Sequence, residues 1–237
     1  MDYRAEATSL EGFMQQLAVS YLCRGYRFYF QGRIPRGKDP RAVDAKLIAR
    51  YGVAVSKFER ARRKARGLAN VQYLRYGRHF VLLATSGQDD LLRQDHTLQD
   101  AREVPIKLGG YAASYRGGHA HVRIERETWK QLKAYYLDLA TKRSVSWFET
   151  EFRRWPFEPW APVRRQTFVI LNQANQARRV AGLEPIPTSC VRLKRRIYRP
   201  FAPIASGMVD DGLRSGRCSV VPGEAETSSA EEHLVEE

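Results

Sequence analysis

Adjacent glycines at positions 117 and 118, set inside a strand-like run, restrict what this chain can fold into more tightly than any other feature. The run is IKLGGYAASYRGGHAHVRIE (106–125). A Gly-Gly pair suits a two-residue hairpin turn, because both central residues take a positive φ that only glycine adopts freely. Pairing across it sets Arg116 opposite His119, Tyr115 opposite Ala120 and Ser114 opposite His121. Side chains alternate along a strand, so one face collects Tyr111, Ala113, Tyr115, Ala120, Val122 and Ile124. The other face collects Ser114, Arg116, His119, His121, Arg123 and Glu125. A slip of one residue would turn the whole apolar set outward, so pattern and turn specify the same register.

Other elements follow from periodicity and punctuation. Leu10, Phe13, Leu17 and Tyr21 recur at helical spacing after a Ser9 cap, and Gly25 ends that helix. YRFYFQGRI (26–34) alternates as a strand. A helix opens at Pro40 and stops at Gly52, and a second helical stretch covers 55–68. NVQYLRYGRHFVLLATSG (70–87) is β, either as a hairpin turning at Tyr76-Gly77 or as one long strand. Residues 88–104 are polar, a surface helix or loop. ERETWKQLKAYYLDLATK (125–142) is a helix with Trp129, Leu132, Tyr136 and Leu139 on one stripe. WFETEFRRWPFEPWAP (147–162) reads as an aromatic, proline-rich linker, 164–182 as a helix, and VRLKRRIYRPF (191–201) as a basic extended segment. The order implies an α+β fold, an antiparallel sheet of about four to five strands with helices mainly on one face, plus a C-terminal helical and extended extension. The expected organisation is a 1–145 core domain, a 146–205 segment packed on or beside it, and a disordered acidic tail over 206–237.

Charge points to the partner. The net charge of +14 divides into −6 over residues 206–237 and +20 over residues 1–205. A folded region that basic repels itself unless a polyanion neutralises it, which makes nucleic acid, DNA or RNA, the leading partner. Arginine outnumbers lysine 31 to 9, and arginine forks onto phosphate and stacks on bases. High genomic GC content produces the same bias without any such role. Arg60, Arg62, Arg63, Lys64 and Arg66 spread charge over more than one face of a helix and suit a phosphate backbone. Arg192, Lys194, Arg195 and Arg196 form the densest run elsewhere. Ser114, Arg116 and Arg123, with the two histidines, make a polar platform for phosphates and unpaired bases. The tryptophans between Arg153 and Trp160 either stack bases or pin a loop onto the core.

His119-Ala120-His121 on a strand, followed by Tyr135-Tyr136 on the next helix, resembles the HUH family of single-strand nucleases, which includes rolling-circle replication initiators and repetitive-element transposases. That resemblance implies a divalent metal, Mg²⁺ or Mn²⁺, on His119 and His121. It also implies Tyr135 or Tyr136 as the nucleophile that forms a phosphotyrosine link. Tyr76-Gly77-Arg78-His79-Phe80-Val81-Leu82-Leu83 is similar to the histidine strand of the transposases, with Val81 in place of the second histidine.

No GxGxxG, GxxxxGK[ST], HExxH or GxSxG motif is present. Cys23, Cys190 and Cys218 form no CxxC pair, which argues against a zinc ribbon or a disulfide framework. Neither a membrane-spanning run nor a secretory leader is recognisable, so a cytoplasmic protein is expected, nucleoid-associated if it binds DNA. The leading expectation is a nucleic-acid-binding protein of replication, transposition or RNA metabolism. The alternatives are a metal-dependent HUH-type nuclease and a basic scaffold for an acidic protein.

Overall fold

The computed structural model describes residues 3–88 and 90–202. The acidic tail and Cys218 lie outside the described residues. Strands β1 (Phe28–Arg33), β2 (Val71–Tyr76), β3 (His79–Ala84) and β4 (Gln99–Asp100) form an antiparallel sheet in the order β2-β3-β1-β4. Strands β5 (Ile106–Leu108), β6 (Tyr111–Arg116) and β7 (His119–Ile124) form a second antiparallel sheet in that order. The α+β class expected from the sequence is what the chain adopts, with its strands divided between two sheets.

The Gly-Gly hairpin has the register its pattern dictates. Arg116 pairs with His119, Tyr115 with Ala120 and Ser114 with His121. Gly117 and Gly118 take φ of 53° and 81°, the paired positive values of a turn whose twist matches the strands it joins. The Tyr115 hydroxyl donates to the Gly118 carbonyl at 2.9 Å. In the first sheet Tyr76 pairs with His79, so the turn is Gly77-Arg78, one residue beyond the pair the sequence suggested.

The helices are α1 (Leu10–Gln15), α2 (Pro40–Arg50), α3 (Lys57–Ala65), α4 (Asp90–Asp95), α5 (Arg126–Leu139), α6 (Val145–Arg153) and α7 (Ala161–Val180). Ser9 caps α1 by accepting the Gly12 amide at 3.0 Å. The chain then continues as a six-residue π-helix, Gln16–Tyr21, and a 3₁₀ turn that ends at Gly25, φ 94°. Asp39 caps α2 and Ser56 caps α3.

Two apolar clusters sandwich the first sheet. One face, carrying Tyr29, Leu74, Val81 and Leu83, shares a core with Phe13 and Leu17, with the apolar face of the hairpin, and with α5, α6 and α7. The other, carrying Val71, Tyr73, Leu82 and Ala84, packs with Tyr51, Val53 and Leu92. Residues 147–162 are not a linker. They contribute most of α6, and Phe148, Phe152, Trp155 and Phe157 are buried in the larger core. The aromatic rings bring in too much apolar area to remain in water. Met1–Pro203 accordingly make one compact unit. No helix among the described residues is long and apolar enough to cross a membrane.

Candidate nucleic-acid interface

Residues 3–7 run beside β2, with the Arg75 amide donating to Ala5 O at 2.8 Å and the Ala7 amide to Arg75 O at 2.7 Å. The buried Arg75 guanidinium anchors this segment by pairing with Glu6 and with Asp44 on α2, at 2.9 and 2.8 Å. That placement carries Tyr3 and Arg4 into the lining of a groove of about 1770 Å³. The π-helix and the turn after it add Tyr21 and Arg24, and α3 adds Lys57, Phe58, Arg60 and Lys64. A third side is the loop after β3. There the Gln88 amide donates to Gly67 O at 2.8 Å and the Ala69 amide to Gln88 O at 3.1 Å, joining this loop to the segment that follows α3.

The lining is also polar and aromatic. The Tyr3 hydroxyl accepts the Tyr73 amide at 3.0 Å and lies 3.0 Å from Gln72 Oε1, while Gln72 Nε2 donates to the Tyr26 hydroxyl at 3.5 Å. The rings of Tyr21 and Tyr26 meet edge to face, 5.9 Å between centroids. Burial holds the Tyr3 and Tyr26 hydroxyls above the ordinary phenol range. Asn70 is buried; its amide nitrogen donates to Arg60 O at 3.1 Å, and among the described residues Oδ1 accepts no hydrogen bond. Five cations (Arg4, Arg24, Lys57, Arg60 and Lys64) border this one concavity, a concentration of positive potential suited to a chain of phosphates.

The cations singled out in the sequence meet different fates. None of α3 is buried, as expected of a helix charged on several sides. Arg63 is nonetheless spent on structure, donating twice to Ala69 O at 3.2 and 2.8 Å. Arg62 pairs with Glu59 at 3.3 Å, and Arg66 is exposed at the C-cap. Arg60 uses one nitrogen on Val55 O and still lines the groove.

The segment 191–201 is a strap held chiefly by Glu158 and Gln15, with the Thr8 amide also donating to Pro200 O at 2.9 Å. Buried Glu158 accepts from Arg192 at 2.8 Å, from the Arg196 amide at 2.9 Å and from the Tyr198 hydroxyl at 2.9 Å. Gln15 donates to Tyr198 O and accepts the Tyr198 amide. Arg195 stacks 3.9 Å over Trp160 and donates to Gln15 at 3.1 Å. Arg192 and Arg195 are therefore internal ties, contrary to their expected place on phosphate. Lys194 and the Arg196 side chain are exposed.

The hairpin platform is smaller than the alternation promised. Arg116 and His119 are exposed at its tip and His121 and Arg123 are half-buried, but Ser114 is buried and offers no surface. Nor does the structure assemble the constellation implied by the HUH resemblance. Tyr136 is 3% exposed, with ring centroids 5.5 Å from Phe152 and 5.3 Å from Trp155. Tyr135 packs on the same core, which the apolar face of the hairpin closes. His119 and His121 alternate onto the opposite face. The stripe that makes α5 amphipathic is what draws Tyr136 inward, so it fills the core and does not face a phosphate. His119 and His121 have no third ligand: among the described residues no group of three or more His, Cys, Asp or Glu side chains is placed to hold a metal ion. Glu125 caps α5 and pairs with Lys107 at 2.9 Å.

No protein-family model, curated protein or solved structure matches this chain.

Arg4, Arg24 and the tyrosines at 3, 21 and 26 escaped the sequence reading because they are scattered and form no linear motif. Lys57 and Phe58 left one signal. Phe58 is a large apolar residue on a helix with no apolar stripe, its neighbours three and four places on being Ala61 and Arg62.

Proposed function

We propose that the protein binds nucleic acid through the groove between α3 and the π-helix. The observation that carries this reading is the convergence of Arg4, Arg24, Lys57, Arg60 and Lys64, from three distant stretches of sequence, on one large concavity. A groove of about 1770 Å³ exceeds the roughly 300–1,000 Å³ of a small-molecule pocket and suits a segment of polymer. Arg116, Lys194 and Arg196 are further exposed cations outside its lining. Cleavage chemistry draws no support from the geometry, because the tyrosines and histidines lie on opposite faces of the hairpin.

The test is fluorescence anisotropy of labelled single- and double-stranded DNA and RNA, with and without Mg²⁺ or Mn²⁺, followed by gels for cleavage. Binding is expected without metal. If the five groove cations each neutralise one phosphate, duplex affinity falls roughly 500-fold between ~50 and ~200 mM salt. Replacing Lys57 and Lys64 together by Ala should weaken every probe and flatten that slope. Absence of binding at low salt, or a flat salt response, sinks the reading and favours an acidic protein as the partner.

A further inference from the structure

Phe58 is 79% exposed and belongs to neither apolar cluster, so folding does not account for its being aromatic. It is the second residue of α3 and lines the groove together with Lys57, Arg60 and Lys64. We infer that the groove takes single-stranded nucleic acid, with Phe58 as the side chain on which an unpaired base stacks. The inference rests on the nucleic-acid reading above and narrows it to one class of ligand.

The chemistry of the lining supports this. A duplex hides the faces of its bases in the stack and offers a protein phosphates and groove edges. An aromatic ring among cations gains little from such a ligand, whereas a single strand presents both a charged backbone and free π-faces. The lining also carries polar groups. Among the described residues Asn70 Oδ1 is a buried acceptor with no donor, and the Tyr26 hydroxyl, which accepts from Gln72 Nε2 at 3.5 Å, lines the same groove. A base edge displaying amino and carbonyl groups complements such a lining once it is unpaired. The π-helix, a rare conformation frequent at functional sites, contributes to the same lining. It places Gln16, Ser20 and Tyr21 along the groove.

The experiment compares a short labelled oligo-dT strand, its oligo-U counterpart and a blunt duplex of equal length against the full-length protein and two variants. Phe58→Ala is expected to weaken both single strands about tenfold, the scale of one lost stacking contact, and to leave duplex affinity unchanged. Phe58→Trp should retain single-strand binding, and its added emission should be quenched by oligo-dT or oligo-U and not by duplex. The two single strands separate DNA from RNA as the preferred source of the same chemistry. Because Phe58 is exposed, melting curves of both variants should superimpose on that of the parent. Equal loss of single-strand and duplex binding in Phe58→Ala, or no quenching of the Trp variant by either strand, overturns the stacking assignment while nucleic-acid binding stands. Failure of the parent protein to bind any probe at low salt defeats the broader reading instead.

Discussion

Arg178 looks in the sequence like any other arginine of a basic chain, yet its guanidinium is buried on the core side of α7. It donates to the carbonyls of Glu184, Ala140 and Arg143 at 2.6, 2.7 and 2.8 Å, joining the end of α5 to the loop after α7. Replacing it by Met keeps the apolar stem and strands those acceptors, which should cost about 3 kcal/mol or more in urea denaturation. Nucleic-acid affinity should not change, since the side chain is remote from solvent. An unaltered denaturation midpoint would show that the three bonds contribute nothing. His96 is a second residue whose role is internal. Its ring stacks on Phe30 at 3.9 Å, and its Nε2 lies 2.9 Å from the Tyr51 hydroxyl. Burial lowers its pKa below the ordinary imidazole value despite the neighbouring Asp95. The unfolded chain therefore takes up a proton at higher pH than the folded one, so stability contributed by neutral His96 is lost as pH falls below about 6.5. Melting temperature should decline on acidification through that range, and His96→Phe should abolish that part of the decline. Asp95, whose pKa Arg50 pulls down, acts only in a lower window, below its ordinary carboxylate value.

At the scale of elements, the orientation of the groove wall depends on one glycine. Gly87 has φ 137°, and a Cβ there would lie 2.7 Å from backbone atoms of Gly67, Leu68 and Ala69. No flexible side chain can yield at those contacts, so Gly87→Ala must separate the loop after β3 from the segment following α3. The expected result is weaker binding of every nucleic-acid probe and a lower melting temperature; a variant that binds as the parent does would show that this junction does not set the wall. This dependence was not legible beforehand, because Gly87 ends a strand run, where a glycine ordinarily marks a turn. The hairpin at 117–118 was legible to the residue, since turn chemistry and alternation both act locally and agree. The cap at Ser9 and the stops at Gly25 and Gly52 were legible for the same reason. The strap at 191–201 was not. Its basic residues suggested phosphate, and nothing local announced that Glu158 and Gln15 would hold it. Residues 147–162 misled similarly: prolines near Trp160 suggested a linker, while Phe148, Phe152 and Trp155 were being drawn into the core at long range. Whether an arginine is structural or free is likewise decided by contacts far away in sequence, and so the groove as a whole had no signature beyond Phe58.

The whole molecule adds a term that no single contact contains. Charges well outside the groove still shape the potential met by an approaching polyanion, over about 10 Å at 0.1 M salt and about 30 Å at 0.01 M. Residues 206–237 carry −6 against the +20 of residues 1–205, so they reduce the net attraction of the chain from +20 to +14. A chain shortened to end at Ala205 should therefore associate faster with any nucleic-acid probe at low salt, because electrostatic steering acts chiefly on the encounter rate. The gain should be similar for single strand and duplex, since net charge does not distinguish them, and this separates it from the effect of Phe58. It should shrink steadily as salt rises and vanish near 1 M, where the screening length is about 3 Å. Stopped-flow association of the full and shortened chains across a salt series reads this directly. Equal association rates at the lowest salt would show that the negative charge of residues 206–237 does not reach the path by which nucleic acid approaches.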